Sequence, residues 1–367
     1  LRICITGARG KSSVARLLAS ILSQAGFSVL AKTTGSKPVI IFSDGKEKEI
    51  IRRSPPSILE QKNLLKIGED MNVQVLVSEM MSIQAESMLV ESGRILRPHI
   101  LIITNVRVDH IEHWGTTKEE AAACFSAAVS GGITVFIPEE EMYPVFQEKA
   151  RKAGSKVISV SQEIFNDFPL YKLSPTANKF EQNIRLCLAV SDHLGIDPSQ
   201  IKKGIARVQA DFGGLKAWKI PMGEGGSIWH FLSAFAANDP ISTRQVLERI
   251  NKVKSLAGKK FIGLLNLRGD RGGRTLQWLE AVKQGDFPEF DRLVLSGEHA
   301  LAFKRKLRKF PCRSKLFVLK EKKAKKIMDS LFEISRDDAV VIGMGNMGGA
   351  GEALVKYWQK VGEYYAV

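Results

Sequence analysis

From Arg2 onward, short apolar runs rich in β-branched residues alternate with longer segments whose apolar positions recur at helical spacing. The short runs read as strands over Arg2–Thr6, Val73–Ser78, Ile100–Thr104, Thr134–Ile137 and Lys156–Val160. The segments between them predict helices over Ser12–Gln24, Thr117–Val129 and Glu139–Ala153. Parallel neighbours need a long crossover, so a steady strand–helix–strand rhythm is how a chain builds a parallel sheet covered by helices on both faces. Val39–Phe42 and Glu49–Arg52 flank Ser43-Asp44-Gly45, which predicts a hairpin inserted into this series.

Helices over Asn178–Leu194, with Ile184, Leu188 and Ser191 along one side, and over Ser199–Val208 close the first series. Phe212-Gly213-Gly214 then breaks the pattern. A second series follows: Ile228–Leu232, Ser242–Val253, Lys260–Leu265, Thr275–Lys283, Arg292–Leu295, Leu316–Leu319, Val340–Gly343 and Glu352–Gln359. The expected organisation is two α/β domains, residues 1–213 and 214–367, each long enough to bury its own core.

Composition narrows the class. With 44% hydrophobic and 25% charged residues among 367, the chain is a folded globular protein, neither disordered nor a rod. No apolar run approaches the roughly 18–20 residues that span a bilayer. The sequence opens at Leu1, already inside the apolar Ile3-Cys4-Ile5 run, and the expectation is that something N-terminal to it was processed or trimmed. Cys4, Cys124, Cys187 and Cys312 are scattered, without zinc-site spacing, and read as buried reduced thiols of a cytosolic protein. A net charge of +15 points to an anionic partner: a nucleotide, an acidic metabolite or polymer, or a phospholipid surface. Lys304-Arg305-Lys306-Leu307-Arg308-Lys309 and Lys320-Glu321-Lys322-Lys323-Ala324-Lys325-Lys326 concentrate that charge, either as solvated helix faces or as a docking surface for anionic polymer or lipid. Nucleic acid is not expected, because no aromatic residues interleave the lysines.

The sharpest chemical signal is Gly7-Ala8-Arg9-Gly10-Lys11-Ser12-Ser13, directly after the first strand and opening the first helix. Glycines let backbone wrap a phosphate chain, and the helix start supplies N–H donors. Lys11 neutralises the β and γ phosphates, and the Ser12 hydroxyl reaches magnesium. ATP with magnesium is the expected cofactor. The loop departs from G-x-x-x-x-G-K-[ST], because Ile5 occupies the first glycine position. A second signal, Thr104-Asn105-Val106-Arg107-Val108-Asp109-His110, sits at a strand end, where open α/β sheets bind ligands. There a neutral His110 imidazole could ligate a metal or hold a phosphate-bound water, with Asp109 orienting it.

The shortened loop resembles the P-loop of the Mur ligase superfamily, which includes folylpolyglutamate synthases and the B subunit of bacterial capsular poly-γ-glutamate synthase. The Thr104–His110 segment followed by Gly115 resembles the superfamily's T-N-x-x-x-D-H-x-x-x-x-G. Ser78-Glu79-Met80 resembles its acidic magnesium position, where Glu79 would otherwise read as a strand-end charge. Asn183 resembles the helix asparagine near adenine, though a surface asparagine reads the same way. Ala237-Asn238-Asp239-Pro240-Ile241-Ser242 resembles D-Y-A-H-x-P-x-S, with Asn238 where histidine is common and Ser242 a candidate N-cap. Gly269-Asp270-Arg271-Gly272-Gly273-Arg274 resembles G-D-R-x-x-[KR], an arginine loop suited to a phosphoryl intermediate or an acidic substrate. The Arg9 form of the P-loop, Phe235–Pro240 and Gly343–Gly351 most resemble the poly-γ-glutamate synthase B subunits, although Ala8 replaces their threonine.

The resemblance implies a Mur-ligase-like P-loop ATPase domain with a parallel sheet plus a smaller Rossmann-like C-terminal α/β domain, the two meeting at the nucleotide. It implies an ATP-dependent amide ligase that forms γ-glutamyl bonds through an acyl phosphate. Gly7, Ala8, Arg9, Gly10, Lys11, Ser12, Ser13, Asn105, Asn183, Asn238 and Asp239 would bind nucleotide. Ser12, Glu79 and His110 would hold metal, and Lys11, His110 and Arg271 would act in catalysis. The implied partners are glutamate or a poly-γ-glutamate chain and membrane-embedded synthase subunits, with a homo-oligomer left open. The implied place is cytoplasmic, at the inner face of the membrane through an N-terminal anchor or those subunits. The alternatives are another Mur-like ligase, such as a folylpolyglutamate or murein peptide synthetase, and a P-loop regulatory or assembly ATPase. Many Mur-like ligases also carry a carboxylated lysine in the helix after the D-H motif; aligned through Asp109, Gly115, Thr117 and Glu119, that position is Phe125 here.

Overall fold

β1 (Arg2–Thr6) lies in the middle of an eight-stranded sheet of order β4-β3-β2-β5-β1-β6-β7-β8 in the computed structural model of the chain. The structure describes all residues except 36–37, 53–54, 109–110, 165–180, 209–214, 224, 236, 257, 311–313, 322, 336–337 and 366–367. Two compact units divide it, Leu1–Phe212 and Gly213–Val367.

In the first unit β1 is followed by α1 (Lys11–Gln24), β2 (Val29–Lys32), the hairpin β3 (Val39–Phe42) and β4 (Glu47–Glu49), and α2 (Glu60–Asp70). Next come β5 (Val75–Glu79), α3 (Ala85–Val90) running into a π-helical turn Glu91–Leu96, and β6 (Ile100–Ile103). The remainder is α4 (Lys118–Ser126), β7 (Thr134–Pro138), α5 (Pro144–Lys152), β8 (Lys156–Val160), α6 (Glu181–His193) and α7 (Pro198–Arg207). The six strands from β2 to β8 pair in parallel, while β3 and β4 join antiparallel at one edge. Central strands carry apolar residues at consecutive positions because alternate residues feed separate cores. Ile3, Ile5, Val77 and Ile102 pack with Val14, Leu18, Ile184 and Leu188 of α1 and α6, whereas Cys4, Leu101, Ile103 and Val135 pack with Phe125 and Phe146 of α4 and α5. Each such large side chain contributes roughly 1.5–3 kcal/mol by burial.

Element ends shift by a few residues from the sequence reading, and two elements change more than that. The second hairpin strand is Glu47–Glu49 rather than Glu49–Arg52, because the turn is tight: Gly45 N–H donates to Phe42 O and Phe42 N–H to Lys46 O, which sets Ile41 opposite Glu47. The expected Glu139–Ala153 helix is a 3₁₀ turn Glu139–Glu141 followed by α5, restarted by Pro144 at a position where a missing N–H costs nothing.

The second unit contains β9 (Lys216–Met222), β10 (Ser227–Ser233), α8 (Pro240–Ile250), β11 (Lys260–Asn266), α9 (Gly272–Lys283), β12 (Arg292–Ser296) and α10 (Ala300–Leu307). It ends with β13 (Lys315–Val318), α11 (Ala324–Ile334), β14 (Ala339–Gly345), α12 (Ala350–Val361) and β15 (Glu363–Tyr365). The sheet order is β13-β12-β11-β14-β10-β9-β15, parallel as far as β10 and antiparallel over β9 and β15. Leu247, Trp278 and Phe303 cover one face, and Ile327, Leu331 and Trp358 the other. Cys4, Cys124 and Cys187 are free and buried, and burial pushes the Cys4 and Cys187 thiols well above their ordinary range. Cys312 lies outside the described residues.

Candidate active site

β5, β1 and β6 are adjacent and parallel, so their C-terminal ends bring three chain segments to one edge of the sheet. The sheet winds in opposite directions from β1, which makes this its topological switch point. Gly7 has φ 120° and Gly10 φ 83°, backbone that favours glycine. Thr104 and Asn105, just past β6, hold the loop between them. Ala8 N–H donates to Asn105 O at 3.1 Å. Arg9 N–H donates to Asn105 Oδ1 at 2.9 Å, while Asn105 Nδ2 and Thr104 Oγ1 donate to Arg9 O at 3.0 and 2.6 Å. Asn105 thus pairs with the Arg9 peptide as another backbone would. The N-cap of α1 is Gly10 and no side chain caps it, so the first-turn N–H groups, Lys11, Ser12 and Ser13 included, are left for an anion. Lys11 Nζ arches back to donate to Gly7 O at 2.7 Å. Asn183 is buried on α6 against the loop, and a Cβ at Gly10 would collide with its carboxamide.

Glu79 ends β5, opposite Ile5. Its Oε2 accepts from Ser12 Oγ at 2.7 Å and from Thr34 N–H at 2.8 Å, leaving Oε1 without a partner among the described residues. A carboxylate oxygen beside a hydroxyl is the hard-oxygen set that suits a magnesium ion whose other ligands are phosphate and water, so these residues fit the group. Among the described residues there is no cluster of three acidic, histidine or cysteine ligands.

Behind Glu79 lies a polar network that motif reading missed. Buried Gln61 donates through Nε2 to Glu79 O at 3.1 Å and to Glu91 Oε1 at 2.7 Å, and accepts from Ser78 Oγ at 3.1 Å and Lys32 Nζ at 3.3 Å. Glu91, fully buried on the π-helical turn, also accepts from Met81 N–H at 2.8 Å and from Ser82 N–H at 2.9 Å. The turn after Glu79 is therefore fastened to a buried carboxylate. Burial pulls the Lys32 ammonium below its ordinary range, against Glu60, Glu91 and Glu79, which favour its charge. The available signal was Gln61 itself, a polar residue in line with the buried Leu64 and Gly68 of α2.

His110 and Asp109 lie outside the described residues. Next to that segment, Glu141 accepts from Val106 N–H at 3.2 Å, and burial raises its carboxyl above the ordinary range despite that bond and nearby Lys118 and Arg107. Phe125 is fully buried, its ring edge-on to Trp114 at 4.8 Å, and offers no ligand.

In the second unit Asp239, not Ser242, caps α8: Asp239 Oδ1 accepts from Ser242 N–H at 2.9 Å. Asn238 O accepts from Trp278 Nε1 at 3.2 Å, so this segment is anchored to α9. Arg271 precedes α9 and is partly exposed, with Nε 3.9 Å from Asp270 Oδ2; the bidentate partner of Asp270 is Arg268, at 2.8 and 2.7 Å. Asn266 and Asn346, both buried, tie the ends of β11 and β14 through Asn266 Nδ2 to Asn346 O at 2.6 Å and Asn346 Nδ2 to Asn266 O at 3.2 Å. The first-unit candidates other than His110 thus gather at one sheet edge, and Asn238, Asp239 and Arg271 gather in the second unit around the start of α8 and α9.

A P-loop at the switch point of a parallel sheet, joined to a second α/β unit, defines a nucleotide-dependent enzyme of the Mur ligase kind. Residues 5–196 match the Mur ligase middle domain, and residues 220–361 match the poly-gamma-glutamate synthase CapB C-terminal domain. The PGA synthase CapB of Bacillus subtilis (strain 168) is 31% identical over 99% of this chain and 91% of its own length. E. coli FolC in complex with ADP shares the fold, with a TM-score of 0.69 at 14% identity over 98% of this chain and 90% of FolC. The bifunctional folylpolyglutamate synthase/dihydrofolate synthase of Yersinia pestis, complexed with AMPPNP and Mn, gives 0.67 at 12% over 97% and 88%. The chain belongs to the Mur ligase family, in its poly-γ-glutamate synthase CapB branch. It is an ATP-dependent ligase.

Proposed function

We propose that this ligase joins glutamate to a growing glutamyl chain through γ-amide bonds. The observation that carries the reading is the Ser12–Glu79 pair beside the braced P-loop, in a chain similar along nearly its whole length to a PGA synthase. ATP bound with magnesium supplies a transferable γ-phosphoryl group and neutralises charge on it. A γ-carboxylate oxygen of glutamate attacks that phosphorus and ADP departs. The amine of the next residue then attacks the acyl carbon, loses a proton and expels phosphate. Lys11 and the first-turn N–H groups of α1 hold the phosphates, Ser12 and Glu79 hold the metal, and Asn183 lines the nucleotide side of the loop. Arg271 meets the negative charge of the intermediate, and Asn238 and Asp239 are the second unit's candidates for binding nucleotide. His110 completes the set by the likeness of its motif. Positioning and charge account for most of the rate in such transfers.

The test is ADP release by the purified protein with ATP, magnesium and single candidate acceptors. Glutamate and its γ-linked oligomers should stimulate release. Stimulation by a folate or a muramoyl peptide, with glutamate inert, would transfer the protein to the folylpolyglutamate or murein reading. ATP hydrolysis indifferent to every acid would favour an assembly ATPase.

A further inference from the structure

Residues 300–326 carry twelve lysines and arginines against a single acid, Glu321, and so hold eleven of the fifteen net positive charges. The described residues of this segment lie around one edge of the second sheet. β13 is its outermost strand. α10 packs on one face with Phe303 and Leu307, and α11 on the other with Ile327 and Leu331. Arg305, Lys306, Arg308 and Lys309 are exposed at the end of α10, Lys315 at the start of β13 and Lys320 two residues past its end, and Lys323, Lys325 and Lys326 at the start of α11. Among the described residues none of these side chains is in an ion pair.

Helix stability does not account for this arrangement. Cations at the end of α10 suit its dipole, but three at the start of α11, with no acid in that turn, oppose it. Mutual repulsion adds to the cost, and a bound polyanion would offset both. The cations lie along the edge strand and on the helices that pack on both faces beside it. A flexible chain with a carboxylate on each residue can follow the rim, which runs roughly 16 Å from Lys315 to Lys320 at strand spacing. Lys320 also lies at the C-terminal end of the sheet, the end that bears Asn266 and Arg271. We propose that this rim is a docking track for the anionic poly-glutamyl chain, which keeps the polymer at the ligase between additions. The proposal rests on the ligase reading above.

The intact protein should bind fluorescently labelled poly-glutamate, with anisotropy reporting an affinity that rises with polymer length and falls with salt. One variant joins Arg305→Gln, Lys306→Gln, Arg308→Gln and Lys309→Gln; a second joins Lys323→Gln, Lys325→Gln and Lys326→Gln. Each should weaken polymer binding about tenfold or more, since salt-dependent contacts are lost. The melting midpoint, ADP affinity and turnover with monomeric glutamate should stay unchanged. Polymer binding unaltered in both variants would overturn the track. So would preferential sedimentation of the parent protein with phosphatidylglycerol vesicles that both variants lose. If neither glutamate nor polymer stimulates ADP release by the parent protein, the ligase reading fails whatever the anisotropy shows.

Discussion

Glu79 has one oxygen committed to Ser12 and Thr34 and the other open among the described residues, and its backbone is fixed through Gln61 to Glu91. Glu91→Ala would strand the half-buried Met81 and Ser82 N–H groups, at up to about 1 kcal/mol for each. It should lower the melting midpoint and raise the magnesium concentration needed for half-maximal turnover. Glu91→Gln, which keeps an acceptor for them, should recover much of both; a magnesium titration alongside a melt checks this. An unchanged magnesium requirement in a folded Glu91→Ala protein would show that the network supports the fold but not the metal position. Lys11→Ala should abolish turnover, because it removes the P-loop lysine proposed to neutralise the transferring phosphates. Arg271→Ala should lower kcat more than nucleotide affinity, since its proposed contact strengthens as charge develops.

At the level of elements, readability depended on how local the determinants are. β1 and the P-loop are contiguous, so an apolar run followed by Gly7, Gly10 and Lys11 identifies both. β2 escaped notice because Val29-Leu30-Ala31-Lys32 is short and ends in a residue that normally marks a surface. Lys32 is buried with Gln61 and Glu60 of α2 as its partners, which its own segment does not show. β9, interrupted by Pro221 and carrying Lys216 and Lys219, escaped for a similar reason: its strand character comes from pairing with β10 and β15. In that region buried His230 has Nδ1 2.7 Å from the Tyr365 hydroxyl, and burial holds its pKa below the ordinary 6.5. The neutral ring is favoured in the fold, so its stabilising effect is complete above pH 6.5 and is lost as pH falls through the lowered value. Melts across this range should show the midpoint dropping on acidification, and His230→Asn should flatten part of that slope. His99, shifted the same way by burial, would account for a remainder. The buried Phe125 on α4 leads to a further expectation: turnover should not depend on bicarbonate, and rescue by bicarbonate after removal of carbon dioxide would refute it.

For the molecule as a whole, length, the Gly213 break and two βα series anticipated an α/β architecture, and the structure adds the antiparallel edges of both sheets. The motifs brought out the sheet edge that carries the first-unit candidates, but not Gln61, Glu91 or Asn266, whose roles depend on partners brought together only by folding. The central claim is that a glutamate carboxylate becomes an acyl phosphate at this site. Its most direct measurement uses glutamate labelled with oxygen-18 in the γ-carboxyl group, ATP and magnesium, followed by mass analysis of the phosphate released. One labelled oxygen should appear in each phosphate formed with an amide bond, alongside ADP. Unlabelled phosphate, or AMP and pyrophosphate as products, would contradict the account.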